Sequence, residues 1–123
     1  MAYTVSYKEE EFVLVSVMSP CTKDDHYNAL DQALKLCEQK ECSRLLVDLH
    51  DLNTETFSIA GCFTFGKKMA ERTKYNYLKI AHILPSEQRS KEDVIFTSIV
   101  EANRGKTTRE FETMEEAKEW LLS

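Results

Sequence analysis

The sequence predicts a single α/β domain built on a mostly parallel sheet, and three observations carry that prediction. Phe12–Val17, Leu45–Leu49 and Tyr77–Leu84 are short segments that are apolar on both sides, as strands buried on two faces are. Each is followed by a stretch with apolar residues at helical spacing. The resulting order, β-β-α-β-α-β-α-β-α, calls for parallel strands joined by right-handed crossovers. A chain of 123 residues has room for one core.

Taken in order, Tyr3, Val5 and Tyr7 alternate with polar neighbours, which predicts a half-exposed first strand. Lys8 to Glu11 form a charged turn. The short link to Phe12–Val17 predicts an antiparallel hairpin at the N-terminus. Ser19-Pro20-Cys21-Thr22 ends the second strand, and Thr22 is suited to cap a helix whose first turn holds Asp24 and Asp25. Tyr27, Leu30, Ala33, Leu34 and Cys37 give that helix one apolar stripe. Leu45–Leu49 is the next inner strand.

A second helix is expected from about Ser58 to Arg72, with Ile59, Cys62, Phe63, Phe65, Gly66, Met69 and Ala70 on a wide apolar face. Tyr77–Leu84 is the third inner strand, stopped by Pro85, with a polar loop over Ser86–Ser90. A third helix is expected from Lys91 to Asn103, with Val94, Ile95, Ile99 and Ala102 along one side and Gly105 at its end. Thr107–Glu112 is a short outer strand. The last helix begins near Thr113, carries Glu115 and Glu116 in its first turn, and packs Met114, Ala117, Trp120 and Leu121.

Composition narrows the function classes. A net charge of −5 argues against nucleic acid, which favours a basic excess. Lys67, Lys68, Arg72, Lys74 and Lys79 concentrate positive charge after the central loop, which reads as a solvated helix face and strand entrance ahead of an anion or lipid-headgroup site. No apolar run approaches the ~20 residues of a membrane span. The N-terminus lacks a charged region followed by an apolar core, so a cytoplasmic location is expected. The 4 cysteines, Cys21, Cys37, Cys42 and Cys62, form no Cys-x-x-Cys pair and are expected to be free structural thiols. His26, His50 and His82 lie far apart, so neither a metal nor another cofactor is expected.

Parallel strands bind ligands beyond their carboxyl ends, which directs attention to the segment after Leu45–Leu49. Asp48, His50 and Asp51, with Asn53, are the densest polar cluster there, and turn formation accounts for such residues. Ser58 is placed as a helix N-cap, a position that also tolerates a phosphate. There is no nucleophile elbow and no glycine-rich phosphate loop, so no enzyme is expected. His82 keeps register with Leu78, Ile80 and Leu84 and reads as a buried strand histidine.

LLVDLHDL and the tail FETMEEAKEWLL together resemble the STAS-like superfamily, most closely its SpoIIAA-like branch, grouped in name with SEC14-type domains. The resemblance covers nearly the whole element order through two loose motifs, an apolar strand ending in Asp48 and a closing helix with Ala117 and Trp120-Leu121. It implies a small non-catalytic module that regulates through protein partners. Anti-sigma antagonists of that superfamily are phosphorylated on a serine at the start of the helix after this strand, within an Asp-Ser-Ser-Gly type sequence. Thr56-Phe57-Ser58-Ile59-Ala60-Gly61 stands here instead, so Ser58 and Gly61 match loosely while the aspartate and the adjacent serine are missing.

Helices that all cross in one direction lie on one face of the sheet. Yet both faces of the inner strands are apolar, and something must cover the second: the last helix, another chain, or an apolar ligand. Two functions follow as expectations. The first is a protein-interaction module, self-associating as a homodimer or docking a regulatory protein through its sheet face or around Ser58. The second is a carrier or sensor of a small apolar or amphipathic, lipid-like ligand. That ligand would lie against the second helix, with Phe63 or Phe65 lining its cavity and Tyr75, Tyr77 and the nearby lysines at its polar end.

Overall fold

The computed structural model describes residues 3–9, 12–17, 23–51, 78–86, 88, 91–92, 94–96, 99 and 107–123. Five strands form one mixed sheet: β1 (Tyr3–Lys8), β2 (Phe12–Val17), β3 (Arg44–Asp48), β4 (Lys79–Ile83) and β5 (Thr107–Phe111). They lie side by side in the order β1-β2-β3-β4-β5. β1 runs antiparallel to β2, with Val5 opposite Val15, and every later pair is parallel. The fold is therefore α/β with the antiparallel N-terminal strand that the hairpin pattern predicts.

Helix α1 (Lys23–Gln39) lies over β1 and β2. Its centre line is Ala29, Ala33 and Cys37 with Leu30, all buried, while Tyr27 and Leu34 sit half-buried at the margins. Small side chains on the centre line let the helix approach the sheet closely. They meet Val13, Val15, Val17, Leu45, Val47 and Ile80 on one face. Val94 joins the same cluster from helical backbone at 94–96, so those residues cover the same face as α1. This placement follows from crossovers that all step one way across the sheet.

The last helix, α2 (Met114–Leu121), follows the final strand and turns to the opposite face. There Ala117 and Leu121 pack on Phe12, Leu46, Ala81 and Ile83, with Leu14, Phe111, Met114 and Trp120 around them. Burying a leucine such as Leu121 contributes ~1.5–3 kcal/mol. Of the three candidates for covering the second face, the C-terminal helix is the one seated on β3, β4 and β5.

Several expected boundaries move by a residue or two. The third inner strand is Lys79–Ile83 rather than Tyr77–Leu84; Leu78 and Leu84 are buried but flank it. β3 starts at Arg44, since backbone pairing with Lys79 ignores side-chain polarity. Helical backbone is already present at Gln88, inside the stretch expected to be loop. Ile99 is a larger correction: it is 51% exposed and not part of the apolar side. The helix expected over 58–72 and the Thr22 cap lie outside the described residues.

Two helix ends explain why the elements stop where they do. Thr113 caps α2: its hydroxyl oxygen accepts from the Glu116 N–H at 3.3 Å and its hydroxyl donates to Glu116 Oε1 at 3.0 Å. At the end of α1, Glu41 takes a left-handed backbone with φ of 50°. The Cys42 N–H then reaches the Cys37 carbonyl at 2.9 Å and the Glu41 N–H reaches the Glu38 carbonyl at 3.3 Å. That pair of bonds is a Schellman motif, and its usual apolar contact falls on Cys37 and Cys42, both buried.

Candidate functional site

The carboxyl ends of β2 to β5 share one edge of the sheet because these strands are parallel. Backbone bonds stitch the edge together beyond the strands. The Leu49 N–H donates to the Ile83 carbonyl at 3.0 Å, and the Leu84 N–H to the Phe111 carbonyl at 2.9 Å. The Ser86 N–H donates to the His50 carbonyl at 3.3 Å, just after the buried Pro85. From β3 to β5 this edge is therefore a stitched rim, in which His50 after β3 is held to Ser86 after β4.

Asp48, His50 and Asp51 come together on that rim. Asp48 Oδ1 accepts from the His50 N–H at 3.1 Å, closing a turn of the Asx type. The Asp48 carboxylate thus serves to turn the chain out of β3. His50 Nδ1 lies 3.2 Å from Asp51 Oδ1, and the two side chains are 58% and 70% exposed. Screening leaves such a pair little energetic weight. The pair displays a hydrogen-bonding imidazole and a carboxylate to solvent from a firmly anchored turn. Across the rim, Lys91 Nζ meets Glu112 Oε1 at 3.3 Å and ties the helical stretch to the end of β5.

Ser58, Phe63, Phe65 and Tyr77 lie outside the described residues, so the rim is defined by the other three sequence candidates. Among the described residues, no group of three or more His, Cys, Asp or Glu side chains is placed to hold a metal ion. His82 is buried, as its register predicts, between Val47 on β3 and Glu110 on β5. Cys37 and Cys42 are free thiols. Burial, with smaller contributions from Cys42 and Glu38, pushes the Cys37 thiol up from 9.0 to about 12. A thiol so raised stays protonated at neutral pH and is a poor nucleophile.

At the opposite end of the sheet the structure shows a cluster that sequence reasoning missed. Lys79 Nζ donates to the Trp120 carbonyl at 2.6 Å and to Ser123 Oγ at 3.2 Å, and lies 4.5 Å from the centroid of the Trp120 ring. A cation is thereby set at the carbonyl end of α2, where the helix dipole favours it. The Trp120 ring also stands 5.6 Å from that of Phe111, tilted by 44°. Lys79 is separated from Trp120 by 41 residues, so nothing local in the sequence announces the contact.

The chain is thus an α/β protein with an anchored, solvent-facing polar rim at the carboxyl edge of its sheet. No helix described is long and apolar enough to cross a membrane. Compared with protein families, curated proteins and solved structures, the chain matches none.

Proposed function

We propose that this chain is a non-catalytic interaction module of the STAS-like, SpoIIAA-like type, acting in the cytoplasm through a second copy of itself or a regulatory protein. The observation that carries the reading is the state of the densest polar cluster. Asp48 is engaged in forming its turn, while His50 and Asp51 stand exposed on a rim fixed by backbone bonds. A rigid polar display of this kind suits recognition of another surface. The closing helix, with Ala117, Trp120 and Leu121 against the sheet, supports the resemblance read from the tail.

Both readings drew on an apolar face in need of cover. α2 supplies cover over β3 to β5, so that motive is weaker for each, and the exposed rim carries the preference for an interaction module. Sedimentation velocity over a wide concentration range, paired with native mass spectrometry of freshly purified chain, tests the proposal. Assemblies of polypeptide alone, growing with concentration, support it. A strict monomer carrying an amphipathic small molecule at unit stoichiometry overturns it in favour of the carrier.

A further inference from the structure

We infer that β1 is a self-pairing edge: two copies of the chain join antiparallel through Tyr3–Tyr7 about a two-fold axis at Val5, forming one ten-stranded sheet. The inference rests on the interaction-module reading and names the surface and the partner. It starts from a difference between the sheet's two edges. Among the described residues, no strand pairs with the outer side of β1 or of β5. Exposed edges invite pairing with other chains, and proteins blunt them with charge, proline or a bulge. The β5 edge, Thr-Thr-Arg-Glu-Phe, carries Arg109 and Glu110 in its middle. The β1 edge has neither charge nor proline from Tyr3 to Tyr7, and its charge begins only at Lys8.

The same five residues, Tyr-Thr-Val-Ser-Tyr, read almost alike in both directions. Antiparallel pairing about Val5 therefore sets Tyr3 opposite Tyr7 of the second copy, Thr4 opposite Ser6, and Val5 opposite itself. Aromatic pairs and hydroxyl pairs are favourable cross-strand neighbours, worth ~0.2–1 kcal/mol each. Slipping the register toward the C-terminus by one pleat repeat would instead put Tyr3 against Glu9 and Thr4 against Lys8. The palindrome thus favours the register centred on Val5 over that slip, and antiparallel pairing of two like strands gives the isologous contact that a two-fold dimer needs.

Helix α1 fits the same axis. Gln32 Nε2 donates to the Tyr3 hydroxyl at 2.9 Å, and Lys40 Nζ lies 5.5 Å from the centroid of the Tyr7 ring. These contacts align α1 with β1: eight helical residues rise about 12 Å and four strand residues about 14 Å. Halfway between them Leu36, half-buried against the core, comes level with Val5. Because α1 lies over β1 and β2, strand spacing puts its axis about 5 Å from the seam. Two such helices would stand about 10 Å apart, within the normal range for helix packing. Leu36 would then meet its own copy on the axis, with Gln32 level with Lys40 of the other chain.

Disulfide trapping in the full chain tests the seam. Directly opposed strand residues have Cα atoms about 4.5–5.5 Å apart, inside the range a disulfide spans. Val5→Cys is expected to give a covalent dimer under mild oxidation. Thr4→Cys, whose own copy would sit about 8 Å away on the diagonal, is expected to give none beyond the wild-type background. Leu36→Lys, checked for a native circular dichroism spectrum, is expected to weaken association roughly tenfold or more by sedimentation equilibrium. A wild-type dimer that neither traps through Val5→Cys nor responds to Leu36→Lys would overturn the β1 seam and leave the interaction module standing. A wild type that stays monomeric at every concentration would overturn the seam and self-association together.

Discussion

Replacing Glu41 with glycine should make this protein more stable, although the change deletes a side chain and adds a flexible residue. Glu41 holds a left-handed backbone so that the Cys42 and Glu41 amides can close the end of α1. An L-residue with a β-carbon is strained there by ~1–2 kcal/mol. Glycine removes that strain but adds ~0.4–1 kcal/mol of conformational entropy to the unfolded chain. The difference between the central values leaves a net gain of about 0.8 kcal/mol. For a chain of this size that corresponds to a rise of roughly 2–5 °C in Tm. Urea unfolding followed by circular dichroism reads it directly, with the m-value expected to stay constant. Glu41→Ala keeps the β-carbon, so it should change stability by less than about 0.5 kcal/mol. The reasoning is refuted if Glu41→Gly is neutral or destabilising, or if alanine performs as well as glycine.

Three further perturbations follow from the helix ends and the core. Lys79→Met should destabilise by ~1–2 kcal/mol in urea unfolding, because the Trp120 carbonyl loses a charged donor and the helix end loses its cation; a change below about 0.3 kcal/mol would show that the contact is idle. Thr113→Ala should cost about 1 kcal/mol by removing the hydroxyl that caps α2, with Thr113→Ser recovering most of it. Cys37 provides a pH test. Its folded thiol is raised from 9.0 to about 12, so the folded state holds the proton more tightly than the unfolded state does. Its stabilisation is complete below pH 9.0 and falls away as pH climbs toward about 12. The stability difference between wild type and Cys37→Ala should therefore shrink across that window, and a constant difference would contradict the burial that raises the thiol.

The fold was legible because its alternation is written in side chains. Val13, Val15 and Val17 together with Phe12 and Leu14 mark a strand buried on both faces, and the structure buries all but Leu14 almost completely. Strand β3 and His82 were readable for the same reason. Element limits were less so, since a ladder such as Arg44 with Lys79 extends through backbone atoms alone. Ile99 misled because helical spacing does not say which apolar residues end up exposed, as this one is. The Lys79–Trp120 latch is a tertiary contact without a local signature, and the Glu41 turn lacks the glycine that usually marks such a helix end. At the rim, Asp48 was readable as a turn former because an aspartate followed two residues on by a backbone donor closes its own loop. The stitching of that rim through the His50 carbonyl and Ser86 was not readable, because the two segments meet only once β3 and β4 pair.

Amide hydrogen exchange along β1, followed from dilute to concentrated protein, tests the central claim that this chain acts by docking on a like surface. Exchange at Tyr3–Tyr7 should slow as concentration rises, while Thr107–Phe111 on the opposite edge should exchange at the same rate throughout. Equal rates in β1 at every concentration would contradict docking through this edge.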